Sequence, residues 1–219
     1  MGDFFNSKEL LIYATSKLHL SKIPTPEVDA RILLNYAINF KSTIYMHNNI
    51  PVSKEEKNKF YDYLDERLQG KPVSRIIGSR NFWKNNFLIN KYTLDPRPDT
   101  EVIIDIVTKN YIDSFDYVQV LDLGAGSGCI GLSIINDLKN TSLLSLDICK
   151  RALEQVNINA KRLNLGKKLY CTQINWFEKT WVEKIKLITQ TEQLFLKNKF
   201  DIIVCNPPYI KSSDIEKLQ

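Results

Sequence analysis

The sequence predicts an α/β protein, with an open parallel sheet preceded by a small bundle of helices. Two observations support this prediction. From residue 117 onward, four short apolar runs alternate with stretches of helical periodicity, which is typical of a parallel sheet covered on both faces. Between residue 6 and about residue 70, apolar residues recur only at helical spacing. The chain of 219 residues is long enough for one or two domains.

Capping signals mark three helices in the first part of the chain. The residues that carry these signals are Asn6 with Glu9, Thr25 with Pro26, Ser53 with Glu56, and the terminating Gly70. The inward faces are expected to be Leu10, Leu11, Ala14 and Leu18 in the first helix, Ile32, Leu33, Tyr36 and Ala37 in the second, and Phe60, Tyr63, Leu64 and Arg67 in the third. This pattern predicts a small helical bundle.

The middle of the chain changes to short extended pieces. Over residues 82–94 we expect a β-hairpin that turns at Asn85 and Asn86 and serves as a hinge. A helix over 100–111 follows, and its inward positions are expected to be Ile103, Ile104 and Val107. The predicted organisation is a helical domain at 1–80, a hairpin hinge at 81–94 and an α/β domain at 95–219.

The α/β part is predicted from its alternating pattern. The expected strands are 117–123, 143–147, 169–174 and 200–205. The expected helices lie near 129–138, 151–163 and 180–196. Helical crossovers of this length connect parallel strands, so an open parallel sheet is expected.

Composition excludes several classes of protein. With 43% hydrophobic residues, 8 Gly and 8 Pro, the chain is neither disordered nor collagen-like. No apolar run approaches the roughly 20 residues that cross a bilayer, and the first residues do not resemble a secretory signal, so we expect a cytoplasmic protein with no membrane partner. The four cysteines and two histidines are scattered, so no metal site is expected. The net charge of +5 is mild; it is compatible with an RNA-bearing or acidic partner, but solvated helix faces explain it equally well.

A glycine-rich turn predicts a cofactor site. The first strand of the α/β part runs into Gly124, Ala125, Gly126, Ser127 and Gly128 and then into a helix. Glycines at such a turn allow positive φ and a close approach of a ligand to the backbone. Asp147 ends the next strand, 19 residues past Gly128, where a carboxylate accepts the ribose hydroxyls of a nucleotide-like cofactor.

Asp122 favours one cofactor over another. The glycines also match G-x-G-x-x-G, so a dinucleotide stays open. A carboxylate two residues before the first glycine suits the cationic amino group of S-adenosylmethionine better than a pyrophosphate.

The last predicted strand delivers a second motif, Asn206, Pro207, Pro208 and Tyr209, to the edge where open α/β sheets bind ligands. The two prolines stiffen the turn. An amide or amino nitrogen can donate one hydrogen to the Asn206 side-chain oxygen and the other to the Pro207 carbonyl, while Tyr209 lies against the planar group. Such a site accelerates methyl transfer by alignment and requires no strong base. Asn175 and Trp176 end the third strand at the same edge, where they could contact an adenine or simply cap the sheet.

The motifs VLDLGAGSGCIGLSI, SLDICKRAL, INWF and VCNPPYI resemble class I S-adenosylmethionine-dependent methyltransferases, which have a Rossmann-like sheet. QGKPVSRIIGSRNFW and TLDPRPDTE resemble the protein-(glutamine-N5) methyltransferases of peptide chain release factors. The resemblance implies methylation of the glutamine in the release factor's GGQ loop, with the helical domain docking that substrate. It implies that 124–128 hold the methionine part of the cofactor, Asp147 the ribose, Trp176 the adenine, and 206–209 the glutamine amide.

This chain departs from the family pattern at three places. Asn175 stands where the family usually has Asp; the stretch 178–199 is long, which suggests an extra helix; and the chain stops ten residues after Tyr209, where the family fold continues with further strands. Two other functions stay open. One is N6-adenine or N2-guanine methylation of nucleic acid, because NPPY can aim any planar amino group, although no direct nucleic-acid partner is expected. The other is a truncated, non-catalytic cofactor-binding module.

Overall fold

The computed structural model describes residues 5–40, 42–111 and 116–207, which include Asn206 and Pro207 but not Pro208 or Tyr209. The chain forms two compact units, Met1–Gly78 and Ser79–Gln219. The hairpin expected to serve as a hinge lies within the second unit. The roles of these segments as docking domain and hinge stay predictions.

The first unit is helical. Its helices are α1 (Ser7–Leu20), α2 (Pro26–Ala37), α3 (Lys54–Leu68) and α4 (Val73–Ile77). Two short strands, β1 (Phe5–Asn6) and β2 (Pro51–Val52), pair antiparallel. The core is made mainly of apolar side chains from α1, α2 and α3, including all four positions predicted for α1, and is completed by Ile44 and Val52.

The capping contacts predicted for these helices form in one case and differ in two. Ser53 and Glu56 form the predicted capping box, with each side chain accepting from the other residue's backbone N–H. Asn6 caps α1 by accepting from Lys8 N instead of pairing with Glu9. Thr25 stands at the predicted N-cap of α2, but its hydroxyl donates to Asp29.

The predicted inward face of α2 is partly wrong. Leu33 and Ala37 are buried as expected, but Ile32 and Tyr36 are 37% and 42% exposed. Ala30 and Leu34 take their places in the core. Residues 30, 33, 34 and 37 follow the i, i+3, i+4, i+7 spacing of one helix face, and Ile32 and Tyr36 lie on its flank.

The second unit begins with an antiparallel hairpin, β3 (Ser79–Phe82) and β4 (Asn85–Leu88). The predicted turn at Asn85 and Asn86 is wrong, because both residues lie in β4 and the turn is Trp83–Lys84. Trp83 adopts a φ of 53°, and two contacts hold it there: its backbone N–H donates to Glu101 and its indole N–H to Asp137. Tertiary hydrogen bonds therefore place the turn where local propensity does not.

Helix α5 (Glu101–Tyr111) follows, and then the sheet alternates with helices as predicted. The remaining elements are β5 (Val118–Leu123), α6 (Cys129–Asp137), β6 (Thr141–Asp147), α7 (Lys150–Arg162), β7 (Leu169–Gln173), α8 (Trp181–Thr191) and β8 (Ile202–Cys205). The extra helix suggested for 178–199 is α8. The four strands from β5 to β8 pair in parallel in the order β7-β6-β5-β8.

This topology brings the strand ends together. In an open parallel sheet, the loops that follow the carboxyl ends of the strands meet at one edge. Gly124, Asn175 and Asn206 lie in the loops after β5, β7 and β8, and Asp147 is the last residue of β6. The α/β class with a helical N-terminal region is therefore confirmed.

Candidate cofactor and substrate site

The loop between β5 and α6 is held by its own backbone and by β6. The N–H groups of Gly124 and Ala125 both donate to the Leu146 carbonyl at 2.9 Å. The N–H of Gly128 donates to the Ala125 carbonyl at 2.7 Å. These bonds fold residues 124–128 into a tight turn that ends at the first residue of α6, Cys129.

The sequence requires glycine in this loop for two separate reasons. Gly124, Gly126 and Gly128 all have positive φ, which other residues adopt only with strain. A Cβ atom at Gly128 would also lie 2.9 Å from Cγ1 of Val156, and one at Gly124 would lie 3.1 Å from the Trp176 ring. At Gly126 no atom would lie within 4 Å of a Cβ. Bare backbone therefore faces open space at Gly126, as a close-fitting ligand requires.

Asp147 is tied to the glycine loop by hydrogen bonds. Its Oδ2 accepts from Gly126 N at 2.9 Å, and its Oδ1 accepts from Cys149 N at 2.8 Å. Each carboxylate oxygen has a further lone pair, so both can still accept from hydroxyl groups. These two hydrogen bonds therefore fix the orientation of the Asp147 carboxylate and leave lone pairs that can accept further hydrogen bonds.

A cavity of about 370 Å³ opens over these residues. Its volume falls within the range of small-molecule sites. Of the predicted site residues, it brings together Gly124, Gly126, Asp147, Asn175, Trp176 and Asn206. Backbone at Gly126, a fixed carboxylate and an indole ring on one cavity fit the methionine, ribose and adenine parts of S-adenosylmethionine respectively.

Asn175 and Trp176 lie in the turn after β7. The side-chain oxygen of Asn175 accepts from Phe177 N at 3.0 Å, so it is engaged in holding this turn. Phe177 is 86% exposed and stands at the rim of the cavity. Contact of Asn175 with an adenine edge stays a prediction.

Asn206 occupies the junction of two cavities. It lines the larger cavity and also a smaller one of about 40 Å³, whose wall includes Arg97, Thr100, Ala125 and Ser127. Pro207, which follows Asn206 beyond the end of β8, is half-buried. The predicted contacts of Pro208 and Tyr209 fall outside the described residues.

The structure places Asp122 against the first turn of α6. It is buried, and its Oδ2 accepts from Gly131 N at 3.2 Å. The pKa of its carboxyl is raised to about 7, chiefly by burial; the Gly131 hydrogen bond lowers it and the charge of Asp147 raises it. Asp122 lies outside the walls of both cavities. Its predicted contact with the cofactor's amino group stays a prediction.

Two of the cysteines, Cys129 and Cys171, lie in surroundings that disfavour the thiolate. Burial raises the pKa of the Cys129 and Cys171 thiols to about 12, so neither forms a thiolate near neutral pH. Among the described residues, histidine, cysteine and acidic side chains form no cluster that could hold a metal ion. Over the same residues, no helix combines the length and apolar character needed to span a membrane.

Sequence reasoning missed several residues that line the cavities. In the larger cavity these are Tyr92, Leu94, Ile148, Cys149, Ile174 and Phe177, and in the smaller one Phe82, Leu94, Asp95, Pro96, Arg97, Thr100, Cys129 and Ile130. Four of these residues fall in the segment DPRPDTE, which already stood out as a motif: Asp95, Pro96, Arg97 and Thr100. Tyr92 carries no such signal.

Comparison with known proteins first establishes the class. Residues 98–218 match the family model described as methyltransferase small domain, and residues 9–78 match the one described as PrmC N-terminal domain. The chain is therefore an S-adenosylmethionine-dependent methyltransferase by class. One solved methyltransferase of this class, from Agrobacterium tumefaciens, is 15% identical with a TM-score of 0.46, over 59% of this chain and 39% of that chain.

Sequence relatives establish the family. The release factor glutamine methyltransferase of Agrobacterium fabrum is 34% identical over 99% of this chain and 71% of its own length. That of Clostridium botulinum is 33% identical over 96% of this chain and 70% of its own length. The bifunctional methyltransferase of Rickettsia typhi is 34% identical over 98% of this chain, which spans only 42% of that protein. The chain belongs to the release factor glutamine methyltransferase family.

Proposed function

We propose that this protein transfers a methyl group from S-adenosylmethionine to the side-chain amide nitrogen of a glutamine, and that its substrate is the GGQ loop of peptide chain release factors. The names of relatives that match nearly the whole chain support this substrate. The proposal places the protein in the cytoplasm, with release factors as its protein partners and the helical unit docking them.

One observation carries the proposal: Asn206 lines both cavities. A side chain at this junction can face a cofactor on one side and a substrate on the other. The larger cavity has the volume and the side chains for the cofactor. The smaller cavity is narrow and suits a single side chain or functional group better than a whole nucleotide.

The residues of the larger cavity would bind the cofactor and orient it. We assign the ribose hydroxyls to the free lone pairs of Asp147 and the adenine face to Trp176. We assign the methionine part to the backbone of 124–128, of which Gly124 and Gly126 line this cavity. When bound, S-adenosylmethionine supplies an electrophilic methyl group on a sulfonium. Ala125 and Ser127 line the smaller cavity, and Gly128 completes the loop.

The residues after β8 aim the substrate nitrogen. The oxygen of Asn206 and the carbonyl of Pro207 accept the two hydrogens of the glutamine amide, so the nitrogen lone pair is directed away from them. An amide nitrogen is a weak nucleophile because its lone pair is delocalised. Alignment and stabilisation of the transition state must therefore supply the rate. The methyl transfer would leave S-adenosylhomocysteine, and the nitrogen, made acidic by the new bond, would release one of its two protons to solvent. The family resemblance adds Pro208 and Tyr209 to this substrate site.

The proposal is tested with a release factor and radiolabelled S-adenosylmethionine. We expect label in the release factor, mapped by tandem mass spectrometry to the GGQ glutamine. A release factor with that glutamine replaced by alanine should take no label, and Asn206→Ala should abolish transfer to the normal substrate. Label in DNA or RNA but not in the release factor would overturn the proposal.

A further inference from the structure

Asn159 joins two parts of the second unit through its side chain. It lies in α7 and is 1% exposed. Its Oδ1 accepts from Leu88 N, and its Nδ2 donates to the Leu88 carbonyl and to the Ser127 carbonyl, all at 2.9 Å. The amide therefore uses both hydrogens and its oxygen on backbone groups that lie 71 and 32 residues away.

One partner of Asn159 lines the site, and the other precedes a segment that lines it. Leu88 ends β4, and the chain runs from there to Tyr92 and Leu94, which line the larger cavity. Ser127 belongs to the glycine loop and lines the smaller cavity. Asn159 itself lines neither cavity. It thus acts on the site through the backbone that it holds.

Helix α7 also holds the loop sterically. Val156 stands one turn before Asn159, and a Cβ at Gly128 would lie 2.9 Å from its Cγ1. Asp147 holds the loop from the cavity side through Gly126 N. Two side chains therefore hold the loop: the Asp147 carboxylate, which lines the larger cavity, binds Gly126 N, and the buried Asn159 amide binds the Ser127 carbonyl.

We propose that Asn159 is a positioning residue for cofactor binding, which keeps the glycine loop in its binding conformation before the cofactor arrives. Fixing the Ser127 carbonyl removes alternative loop conformations, so less conformational entropy is lost on binding. This inference rests on the proposed function only in that the larger cavity binds the cofactor.

A different result is expected if Asn159 only stabilises the fold. Its replacement would then lower the free energy of unfolding, but the folded variant would bind the cofactor normally. A positioning residue changes affinity even where the variant is fully folded. Affinity and stability must therefore be measured together, and a variant that destabilises α7 without touching the loop is the matched control.

The test compares Asn159→Asp with Ala160→Gly in the full 219-residue chain. An aspartate side chain can still accept from Leu88 N, but it has no N–H group to donate to the carbonyls of Leu88 and Ser127. Ala160 is the neighbouring buried residue of α7 and makes no polar side-chain contact. S-adenosylhomocysteine affinity is measured by calorimetry at a temperature where circular dichroism shows both variants folded. Amide hydrogen exchange of 124–131 is followed without cofactor.

We expect Asn159→Asp to raise the dissociation constant at least about tenfold, as the loss of buried hydrogen bonds predicts. Its loop amides should exchange faster, and Ala160→Gly should change neither quantity. If Asn159→Asp does not fold, Asn159→Ser is measured in the same way. A folded Asn159 variant that binds within about twofold of the wild type overturns the inference and leaves the proposed function intact. Failure of the wild type to bind S-adenosylhomocysteine would instead overturn the proposed function.

Discussion

The side-chain amide of Asn206 donates a hydrogen bond to the hydroxyl of Thr100, with 3.4 Å between Nδ2 and Oγ1. The two residues are 106 positions apart, and both line the smaller cavity. An amide that donates through its nitrogen keeps its oxygen available as an acceptor. Thr100 belongs to the RPDTE segment, so this contact connects that motif to the one that ends β8.

Thr100→Val should lower turnover while cofactor affinity stays unchanged. Valine keeps the shape of threonine but removes the hydroxyl, so the Asn206 amide loses this partner. We expect kcat for release factor methylation to fall about tenfold, since a lost hydrogen bond of this kind is worth roughly 1 kcal/mol or more. S-adenosylhomocysteine affinity should hold, because Thr100 does not line the larger cavity.

Thr108→Val is the matched control for this prediction. Thr108 lies in α5, where its buried hydroxyl has no hydrogen-bond partner among the described residues. The same substitution there should leave turnover unchanged. Equal effects of the two substitutions on kcat would show that the Thr100 hydroxyl does not act through Asn206.

Gly128→Ala should destabilise the protein more than Gly126→Ala. Both positions have positive φ, so both substitutions add strain of about 1–2 kcal/mol. Only at Gly128 does the new Cβ also collide, at 2.9 Å from Val156 and 3.0 Å from Leu132. Urea unfolding of both variants measures the difference, which isolates the steric contribution. Equal losses would mean that α7 moves away from the loop without cost.

Local and topological features could be predicted from the sequence. The capping box of Ser53 and Glu56 needs only residues three apart, and it forms as predicted. The alternation of strands and helices indicates a parallel sheet, and in such a sheet the strand ends meet at one edge. This topology brings together Gly124, Asp147 and Asn206. Periodicity therefore located most of the candidate cofactor site.

Features that depend on tertiary contacts could not be predicted in the same way. The hairpin turns at Trp83 because Glu101 and Asp137 hold that residue, and neither partner is close in sequence. Tyr92 reaches the larger cavity from a segment without periodicity, and Arg151 lies over its ring at 5.1 Å. Asn159 reads as an ordinary helix residue until its distant partners are known.

Asp122 should make stability depend on pH. In the folded state burial raises the pKa of its carboxyl to about 7, whereas the usual value is 3.8. The protonated form is therefore favoured by folding, and the stability that it provides is complete below about pH 4. That stability is lost as the pH rises through about 7.

Asp122→Asn removes this ionisation. We expect the wild type to lose more free energy of unfolding than the variant between pH 5 and pH 8, as measured by urea unfolding at both pH values. Asparagine can still accept from Gly131 N, so the comparison isolates the charge. Parallel pH dependence in the two proteins would show that Asp122 ionises freely in the folded state.

Gln119 should be among the most sensitive polar residues of the second unit. It is fully buried in β5, and its side chain makes four hydrogen bonds to the backbone of the segment before β8. The oxygen accepts from Leu196 N and Lys197 N, and the nitrogen donates to the carbonyls of Lys197 and Lys199. This one side chain thereby fixes the path by which the chain enters the strand that ends at Asn206.

Gln119→Leu leaves all four backbone groups without this partner. Because an unsatisfied buried polar group costs about 1–3 kcal/mol, we expect the free energy of unfolding to fall by at least about 3 kcal/mol. Gln155→Leu is the matched control, since Gln155 is also buried but its Nε2 has no hydrogen-bond partner among the described residues. Urea unfolding should show a much smaller loss there. If the two substitutions cost the same, leucine packing at position 119 offsets the lost bonds, and the segment before β8 does not depend on Gln119.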